Sequence, residues 1–567
     1  MKKLLFALMG AALLLSACNK QEQTANPYRK VVDYKPSTFT MTVPGTLTDA
    51  NASWISMTQS GSTATFTTKL NTTGLIRRVE YPIAGGGVCV ISQKSKDLDA
   101  AFTLSLASFG DDFATINVAI SSSNLDDYSS WGVYYGKEKD VAKAATKKAT
   151  GMFVSGDNKI TITDLEPNTQ YYIWGWVESL EGMQVVSSAF GFLKPTVVLA
   201  GGDLQAAIDA APKDSEVRVE GGAVFAGGIC LKADVTVSGG WNSTFTEQSV
   251  ENKSIIDGGN TINCVFVGFN PVTKVKEPLE SPATISNFEI RNGYADDIVN
   301  KGGGIYVCGD VVIDNCYIHD NTSTNRGGAI LTAEDVPGTM IVKNCVIQDN
   351  VSTGHHAGGI CLDGGKDKTA YIINNLMEGN FAKKYDGYCG TLMIYNPMEV
   401  YVVNNTITGN KNFDENNGNP WFTIQTRRDI NMFMVNNIVA GNLSAIKGAD
   451  DTFYRQAYQA KLDCVSTETG EARPECIVRN NIIEGGIYGD GKPEPDFHKG
   501  NFIMDVGFDL STIFGTFGAV KYMPVGQALE GDYSDDVAKI MKNYGKDLLG
   551  HNRVVDGKIN MGCYQVQ

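Results

Sequence analysis

A column of basic and aromatic residues is the part of this sequence best placed to do chemistry. Aligning the recurring Gly-Gly segments puts Lys301, Arg326 and His356 at one position of three consecutive repeats, and Tyr388 follows in the fourth. Stacked side chains of this kind would form a stripe suited to an extended anionic chain, and a lysine or arginine there could also act as a base. The alternative interpretation is solubilising charge beside a turn.

Trp421, Arg427 and Arg428 lie near the same edge and have the same two interpretations. The sequence holds no compact acidic cluster on successive repeats, and its five His residues lack metal-ligand spacing. Calcium sites need several carboxylate or carbonyl oxygens, and sugar hydrolases need paired carboxylates. We therefore predict glycan-binding residues here, predict no metal site, and leave the catalytic residues unassigned.

An internal repeat supplies the elements that must position this column. Each copy has apolar residues, an Asn, more apolar residues, and an Asn or Gly six residues later. Successive leading Asn residues, from Asn287 to Asn480, lie 28, 29, 30, 30, 32 and 44 residues apart. The last interval carries an insertion at about 443–475. The leading residues of the clearest copies are Asn315, Asn344, Asn374, Asn404 and Asn436.

This repeat predicts a parallel β-helix, whose coils take roughly 20 to 30 residues and stack about 4.8 Å apart. The same turn position then recurs on every coil, so we expect the leading asparagines to form a structural ladder in left-handed turns. The open end of such a helix needs a cap. Residues 202–211 predict a short amphipathic helix at that end, with Asp203 as its N-cap.

The stretch 196–567 combines this repeat with Gly-Gly strands and with closing segments at 547–553 and 557–564. In these features it resembles the pectate-lyase-like superfamily of right-handed parallel β-helices. The resemblance implies action on polysaccharides, by a Lys or Arg base, often with calcium, in lyases, or by carboxylates in hydrolases. The Asp pair and Gly-His-Gly of polygalacturonases are absent, and Asn560, Cys563 and Gln565 depart from the usual closing run.

Two small β-sandwiches are predicted before the β-helix. In residues 36–95, Ser53-Trp54-Ile55-Ser56 and a closing Ile91-Ser92-Gln93 resemble the BACON domain of Bacteroides-type bacteria, a spacer or carbohydrate-binding module. In residues 98–194, the Leu-x-Pro-x-Thr-x-Tyr run that ends at Tyr171 resembles the hallmark of a fibronectin type III module. The predicted fold class is mainly β: a right-handed parallel β-helix at 196–567 preceded by two small β-sandwich domains.

The N-terminus predicts export. Lys2 and Lys3 precede a short apolar core, and Leu15-Ser16-Ala17-Cys18 resembles the lipobox of bacterial lipoproteins. The resemblance implies that residues 1–17 are a signal peptide, that Cys18 is lipidated, and that residues 18–35 tether the folded part to a membrane. Asn19 is not the Asp that favours inner-membrane retention in some bacteria. We therefore expect a lipoprotein of the cell envelope, anchored in the outer membrane at the cell surface.

The net charge argues against nucleic-acid binding, and the predicted export of the chain permits disulfides. The formal net charge is −15, so a phosphate backbone would be repelled. Among the 12 Cys of this exported chain, Cys464 and Cys476 are the best local candidates for a disulfide because they flank a polar loop. Most other Cys lie in apolar strand patterns and are expected to be small buried hydrophobes.

Three functions are open from these residues. The first is a lipoprotein that binds polysaccharide or another surface glycan through its β-helix. The second is a lyase acting on a uronic acid polymer, the one case in which a cofactor, calcium, is expected. The third is a non-catalytic adhesin or stalk, because a fold by itself does not define a function. The expected partners are a glycan and, through the lipid, a membrane; the sequence does not indicate an oligomeric state.

Overall fold

The structure is a computed structural model, and its described residues form two compact units. Unit 1 comprises the described residues up to Ser105 together with those in 115–162 and 171–192, and unit 2 comprises those in 106–114, 163–170 and 193–567. The structure describes residues 27–122, 128–150, 154, 156–296, 302–365, 367–383, 389–396, 398–414, 422–427, 430–446, 452–456, 458–462, 476–488, 500–517 and 519–567.

Unit 1 begins with a small β-sandwich. Apolar and polar residues alternate along its strands, so one face of each sheet is buried. Phe66, Tyr81 and Ile91 are fully buried between the two sheets. One sheet contains Arg29–Val32, Val88–Gln93 and Arg77–Pro82, and the other contains Ser37–Thr42, Thr63–Thr68 and Ile55–Ser60.

A second pair of sheets follows, with Ile116, Val133 and Ile173 completely buried. One sheet contains Ala145–Lys148, Tyr128–Gly136, Thr169–Ser179, Gln184–Val186 and Phe190–Lys194, and the other contains Gly156–Ile162, Ala114–Ser121 and Ala101–Phe109. A 3-10 helix spans Val141–Lys143.

Unit 2 contains stacked coils whose strands form long parallel sheets, which we number 1 to 4. Sheet 1 contains Thr196–Val198, Ser215–Glu220, Val235–Trp241, Leu279–Ser286, Gly309–Asp314, Gly338–Lys343, Lys368–Ile373, Met398–Val403, Ile430–Val435 and Ile477–Arg479. Sheet 2 contains Val224–Ala226, Ser254–Asp257, Phe288–Arg291, Tyr317–His319, Val346–Gln348, Leu376–Glu378, Thr406–Thr408, Ile438–Val439, Ile482–Glu484 and Phe502–Met504.

Two further sheets complete the coils, and the first strand of sheet 4 is Tyr294–Ala295. Sheet 3 contains Ile229–Leu231, Val265–Val267, Ile305–Val307, Ile330–Thr332, Ile360–Asp363, Cys389–Tyr395, Phe422–Arg427, Ala460–Lys461 and Ile487–Tyr488. Sheet 4 contains Tyr294–Ala295, Thr322–Ser323, Val351–Ser352, Phe381–Ala382, Lys411–Asp414, Leu443–Ile446 and, antiparallel to it, Phe453–Arg455. The predicted fold class, mainly β with a parallel β-helix, is confirmed.

Short elements complete unit 2. Helix α1 spans Leu204–Ala210, and the Asp203 carboxylate accepts a hydrogen bond from Ala206 N at its start. Helix α2 spans Asp535–Met541. Two 3-10 helices span Leu510–Thr512 and Gly526–Leu529, and two small hairpins pair Phe269–Asn270 with Val275–Lys276 and Phe514–Phe517 with Val520–Pro524. Within the described residues, no helix has the length and apolarity needed to cross a membrane.

The coils enclose one continuous apolar core that runs from Val198 to Ile487. At the corner between sheets 1 and 2, each leading asparagine takes a left-handed conformation, which an asparagine tolerates better than most residues. The φ angles of the five predicted ladder residues lie between 49° and 61°. These residues are Asn315, Asn344, Asn374, Asn404 and Asn436.

The continuous side-chain ladder lies one residue later than predicted. The left-handed residue turns its side chain away from the coil interior, so the last three of the five leading residues bond to the C-terminal segment. Asn374 donates to Lys546 O, Asn404 to Met541 Sδ and Asn436 to Asp532 O. The next residue points inward and reaches the same position on the following coil. The interior ladder is Asn375, Asn405, Asn437, Asn481 and Asn501.

A second interior ladder lies at the corner after sheet 2. In both ladders every side-chain oxygen after the first accepts from the backbone N and the side-chain Nδ2 of the asparagine on the preceding coil. Every member of this second ladder is at most 1% exposed. Amide groups buried in this way must be fully hydrogen-bonded to be tolerated. The members are Asn321, Asn350, Asn380, Asn410 and Asn442.

Candidate functional site

The strand register shows where the predicted stripe lies. Ile330 pairs with Ile360 in sheet 3, so Arg326 and His356, each four residues earlier, occupy the same position on neighbouring coils. Gly327 N donates to His356 O, which ties these two turns together. The other predicted residues of this stripe and its edge, Lys301, Tyr388, Trp421 and Arg428, lie outside the described residues, as do Cys18 and Cys464.

His356 does not belong to an open stripe. It is 2% exposed, and its ring packs against His355 with centroids 4.1 Å apart at an interplanar angle of 67°. A side chain buried to this extent is not accessible to a polymer that lies on the surface. This corrects the prediction that His356 contacts a glycan. The disulfide between Cys464 and Cys476 stays a prediction, because only Cys476 is described.

A different column on sheet 3 brings two of the predicted arginines together. Asp363, Tyr395 and Arg427 pair in register on three successive coils, at the C-terminal ends of their strands. The guanidinium carbon of Arg326 lies 5.6 Å from the centroid of the Tyr395 ring, and that of Arg427 lies 5.3 Å from it. Both distances are within the range of cation–π attraction. We call Arg326, Asp363, Tyr395 and Arg427 the arginine–tyrosine cluster.

The buried carboxylate of Asp363 fixes the position of Arg326 in this cluster. Its carboxylate accepts from Arg326 Nη1 at 2.7 Å and from Asn396 Nδ2 at 3.1 Å, and its side chain is only 2% exposed. Its backbone is fixed as well, because Asp363 N donates to the Thr332 hydroxyl and that hydroxyl donates to Asp363 O. A buried carboxylate is tolerated when it is paired and hydrogen-bonded in this way.

Lys368 lies beside the cluster but is not placed to act as its base. Its ammonium donates to Ala333 O and Asp363 O, both at 2.6 Å. Burial lowers the pKa of Lys368 to about 8. A base must reach the proton that it removes, whereas this nitrogen is directed at two backbone carbonyls and the residue is 5% exposed. Lys368 therefore acts as a structural cation in this arrangement.

The cluster offers an aromatic ring and guanidinium donors. Asp363 compensates the charge of Arg326, while the buried Nε of Arg326 has no hydrogen-bond acceptor within the described residues. Guanidinium groups match carboxylates in a forked geometry and also stack, and tyrosine combines an apolar face with a polar hydroxyl. These are groups that bind a sugar acid. Among the described residues, no set of three or more His, Cys, Asp or Glu is arranged to hold a metal ion.

The Gly-Gly turns of the sequence do not indicate Asp363, Tyr395, Asn396 or Lys368. These turns precede the sheet 3 strands, whereas the cluster lies where those strands end. A signal was present, because Ile360-Cys361-Leu362, Leu392-Met393-Ile394 and Ile424-Gln425-Thr426 each lead directly to a cluster residue. Aligning the strand ends would have put Asp363, Tyr395 and Arg427 in one column.

Comparisons with known proteins found matches among solved structures only. No family model matches the chain, and no curated protein matches it. A Yersinia enterocolitica family 28 exopolygalacturonase is 10% identical, with 73% of this chain and 99% of that chain covered and a TM-score of 0.17. The pectate lyase PelI from Erwinia chrysanthemi, in complex with tetragalacturonic acid, is 12% identical, with 76% and 95% covered and a TM-score of 0.16.

The FN1–FN3 domains of chicken CNTN1 are 12% identical to this chain, with a TM-score of 0.17. That match covers 25% of this chain, which spans about half (55%) of the chicken chain. At these identities and TM-scores the similarities support no inference about the site.

Proposed function

We propose that this protein is a cell-envelope lipoprotein that binds polysaccharide at the arginine–tyrosine cluster on sheet 3. The observation that carries the proposal is the Tyr395 ring with two guanidinium carbons within 6 Å of its centroid, at 5.6 Å and 5.3 Å. A sugar ring can pack on the aromatic surface while a uronic carboxylate accepts hydrogen bonds from the guanidinium groups. We therefore propose an anionic polysaccharide as the ligand.

The repeating geometry supports a polymer as the ligand. Asp363, Tyr395 and Arg427 occupy consecutive coils, so the cluster extends along the β-helix axis in steps of about 4.8 Å. An extended chain laid along this axis meets several coils at once, whereas a monosaccharide meets one. Several weak contacts made together give an affinity that no single contact gives.

The anchor is part of the same proposal. Cys18 would carry the lipid and hold the protein in the outer membrane at the cell surface, where an extracellular glycan is accessible. Incorporation of labelled palmitate into the wild-type chain, and its loss in Cys18→Ser, would support the anchor. Cleavage by a protease added to intact cells would support surface exposure, and protection from it would contradict that exposure.

The experiment that tests binding is affinity electrophoresis of the full chain against pectin, alginate, glycosaminoglycans and neutral glucans. We expect retardation in gels that contain a uronic acid polymer. Lack of retardation by every polymer would overturn the proposal and leave the adhesin or stalk interpretation.

The same polymers distinguish binding from lyase activity. A lyase releases unsaturated uronic products that absorb ultraviolet light, and its activity depends on calcium in the calcium-assisted case. We expect retardation without such products. Steady accumulation of unsaturated product would replace binding with the lyase alternative.

A further inference from the structure

A cleft on a different sheet has the features of a second ligand site. It lies between the outer face of sheet 1 and helix α2, entirely within unit 2, and has a volume of about 410 Å³. That volume is in the range of small-molecule sites. One wall is the in-register column Tyr371, Tyr401, Phe433 and Ile477, one residue from each of four successive coils.

The aromatic wall is ordered by stacking. The Tyr371 and Tyr401 rings are nearly parallel, at 7°, with centroids 4.6 Å apart. The Phe433 ring lies next to Tyr401, tilted by 41°, with centroids 5.9 Å apart. Tyr544 closes one end of the stack, 6.0 Å from Tyr371, and the Arg479 guanidinium lies over Phe433 at 5.7 Å. Because the faces pack against one another, the ring edges and hydroxyl groups are the parts left to contact a ligand.

Helix α2 forms the opposite wall with one of its faces. Val537 and Met541 are buried against sheet 1, which fixes the helix. Lys539 and Ile540 lie on the face that borders the cleft, as does Asn543 one turn beyond them. The cleft therefore has an apolar lining with polar groups at its rim.

The polar groups at the rim are not used by the protein itself. Within the described part of the chain, the Lys539 ammonium, the Asn543 amide and the hydroxyls of Tyr371 and Tyr401 make no hydrogen bond or ion pair. Burial raises the pKa of both tyrosines, so their hydroxyls remain protonated and can donate. Asp536, by contrast, is paired with Arg479 Nη2 at 2.8 Å.

This combination matches the surface of a sugar. A pyranose ring has apolar C–H patches and a rim of hydroxyl groups, so it fits an apolar cleft with unpaired donors and acceptors at its edge. We propose that the cleft binds a mono- or disaccharide unit of a glycan, with Ile477, Ile540 and the ring edge of Phe433 against its C–H groups and Lys539, Asn543 and the tyrosine hydroxyls on its oxygens. This site is separate from the arginine–tyrosine cluster and does not depend on it.

The test is saturation-transfer NMR and titration of the full chain carrying Arg427→Ala, which weakens binding at sheet 3, so that the effect of each cleft variant is read against this parent. The probes are digalacturonate and cellobiose, which distinguish a uronic from a neutral source of the ring. We expect at least one of them to bind. Lys539→Ala should weaken that binding about tenfold, the effect of losing a charged hydrogen bond. Tyr401→Phe removes only a hydroxyl and should weaken it less.

The matched control is Lys542→Ala, an exposed lysine of the same segment that does not line the cleft. We expect it to bind as tightly as its parent. Failure of both sugars to bind, equal weakening by Lys542→Ala, or no effect of Lys539→Ala and Tyr401→Phe would each overturn the proposal. A dimer that Lys539→Ala dissociates, without sugar binding, would assign the cleft to a second copy instead and also overturn it.

Discussion

Asn405 and Asn437 are joined twice across two coils of the β-helix. Asn437 Oδ1 accepts from Asn405 N at 2.9 Å and from Asn405 Nδ2 at 3.0 Å, and both residues are fully buried. The same pair of bonds recurs from Asn375 to Asn405 and from Asn437 to Asn481. The ladder thus supplies each buried amide with partners from the neighbouring coils, and it holds the coils in register.

Asn405→Ala is expected to destabilise the β-helix strongly. The change leaves Asn375 N and Nδ2 without the oxygen that they share, and unsatisfied buried donors cost about 1–3 kcal/mol each. A urea titration followed by circular dichroism should show a loss of about 3 kcal/mol in the free energy of unfolding.

The matched variant is Asn404→Gly, one residue earlier. Asn404 has a φ of 57°, which glycine adopts without strain, and among the described residues its side chain hydrogen-bonds to Met541 Sδ and not to another asparagine. We expect a change within about 1 kcal/mol. Similar losses from the two substitutions would contradict the assignment of the ladder to Asn405.

Asn404 and Asn405 show which features of the fold can be predicted from the sequence and which cannot. Repeat spacing predicts the coils and the left-handed corners, because both follow from local preferences of Asn and from apolar periodicity. It does not distinguish Asn404 from Asn405, since only the three-dimensional corner decides which amide faces inward. The cluster was harder to predict, because Arg326 reaches Asp363 on the next coil and Tyr395 on the coil after that, a contact set by side-chain length.

Arg326→Met is expected to destabilise the protein because it removes the guanidinium that forms an ion pair with Asp363. Loss of the cation that pairs with this buried carboxylate should lower the free energy of unfolding by about 2 kcal/mol, less than for a fully buried pair because Arg326 is partly exposed. Adding Asp363→Asn should restore most of the loss, as measured by urea titration. A double variant no more stable than Arg326→Met would contradict this account of the pair.

Lys368 is expected to give a distinctive pH dependence. Its folded-state pKa of about 8 is below the usual 10.5, so between these values the unfolded chain binds more protons than the folded chain. Stability contributed by Lys368 therefore rises with pH across this window. We expect the difference in unfolding free energy, wild type minus Lys368→Met, to increase from pH 8 to pH 10.5. A constant or falling difference would contradict the lowered pKa.

Glu181 is expected to be a principal ion-pair partner within unit 1. Its fully buried carboxylate accepts from Arg29 Nη2 at 3.2 Å and from Arg78 Nε at 3.1 Å. Glu181→Gln should lower the melting temperature of unit 1, because the two arginines lose their shared counter-charge. The exposed pair Glu138–Lys143 provides the control, and Glu138→Gln should leave that temperature unchanged. Equal shifts would show that Glu181 has no special role.

The central claim is tested most directly by calorimetric titration of polygalacturonate into the full chain and its Arg427→Ala variant, with Lys521→Ala as an exposed-lysine control. The account predicts that Arg427→Ala weakens binding about tenfold or more, the loss of a charge-assisted hydrogen bond, and that added salt weakens wild-type binding. Lys521→Ala should bind like the wild type. Equal affinities for the wild type and Arg427→Ala would contradict polysaccharide binding at the arginine–tyrosine cluster.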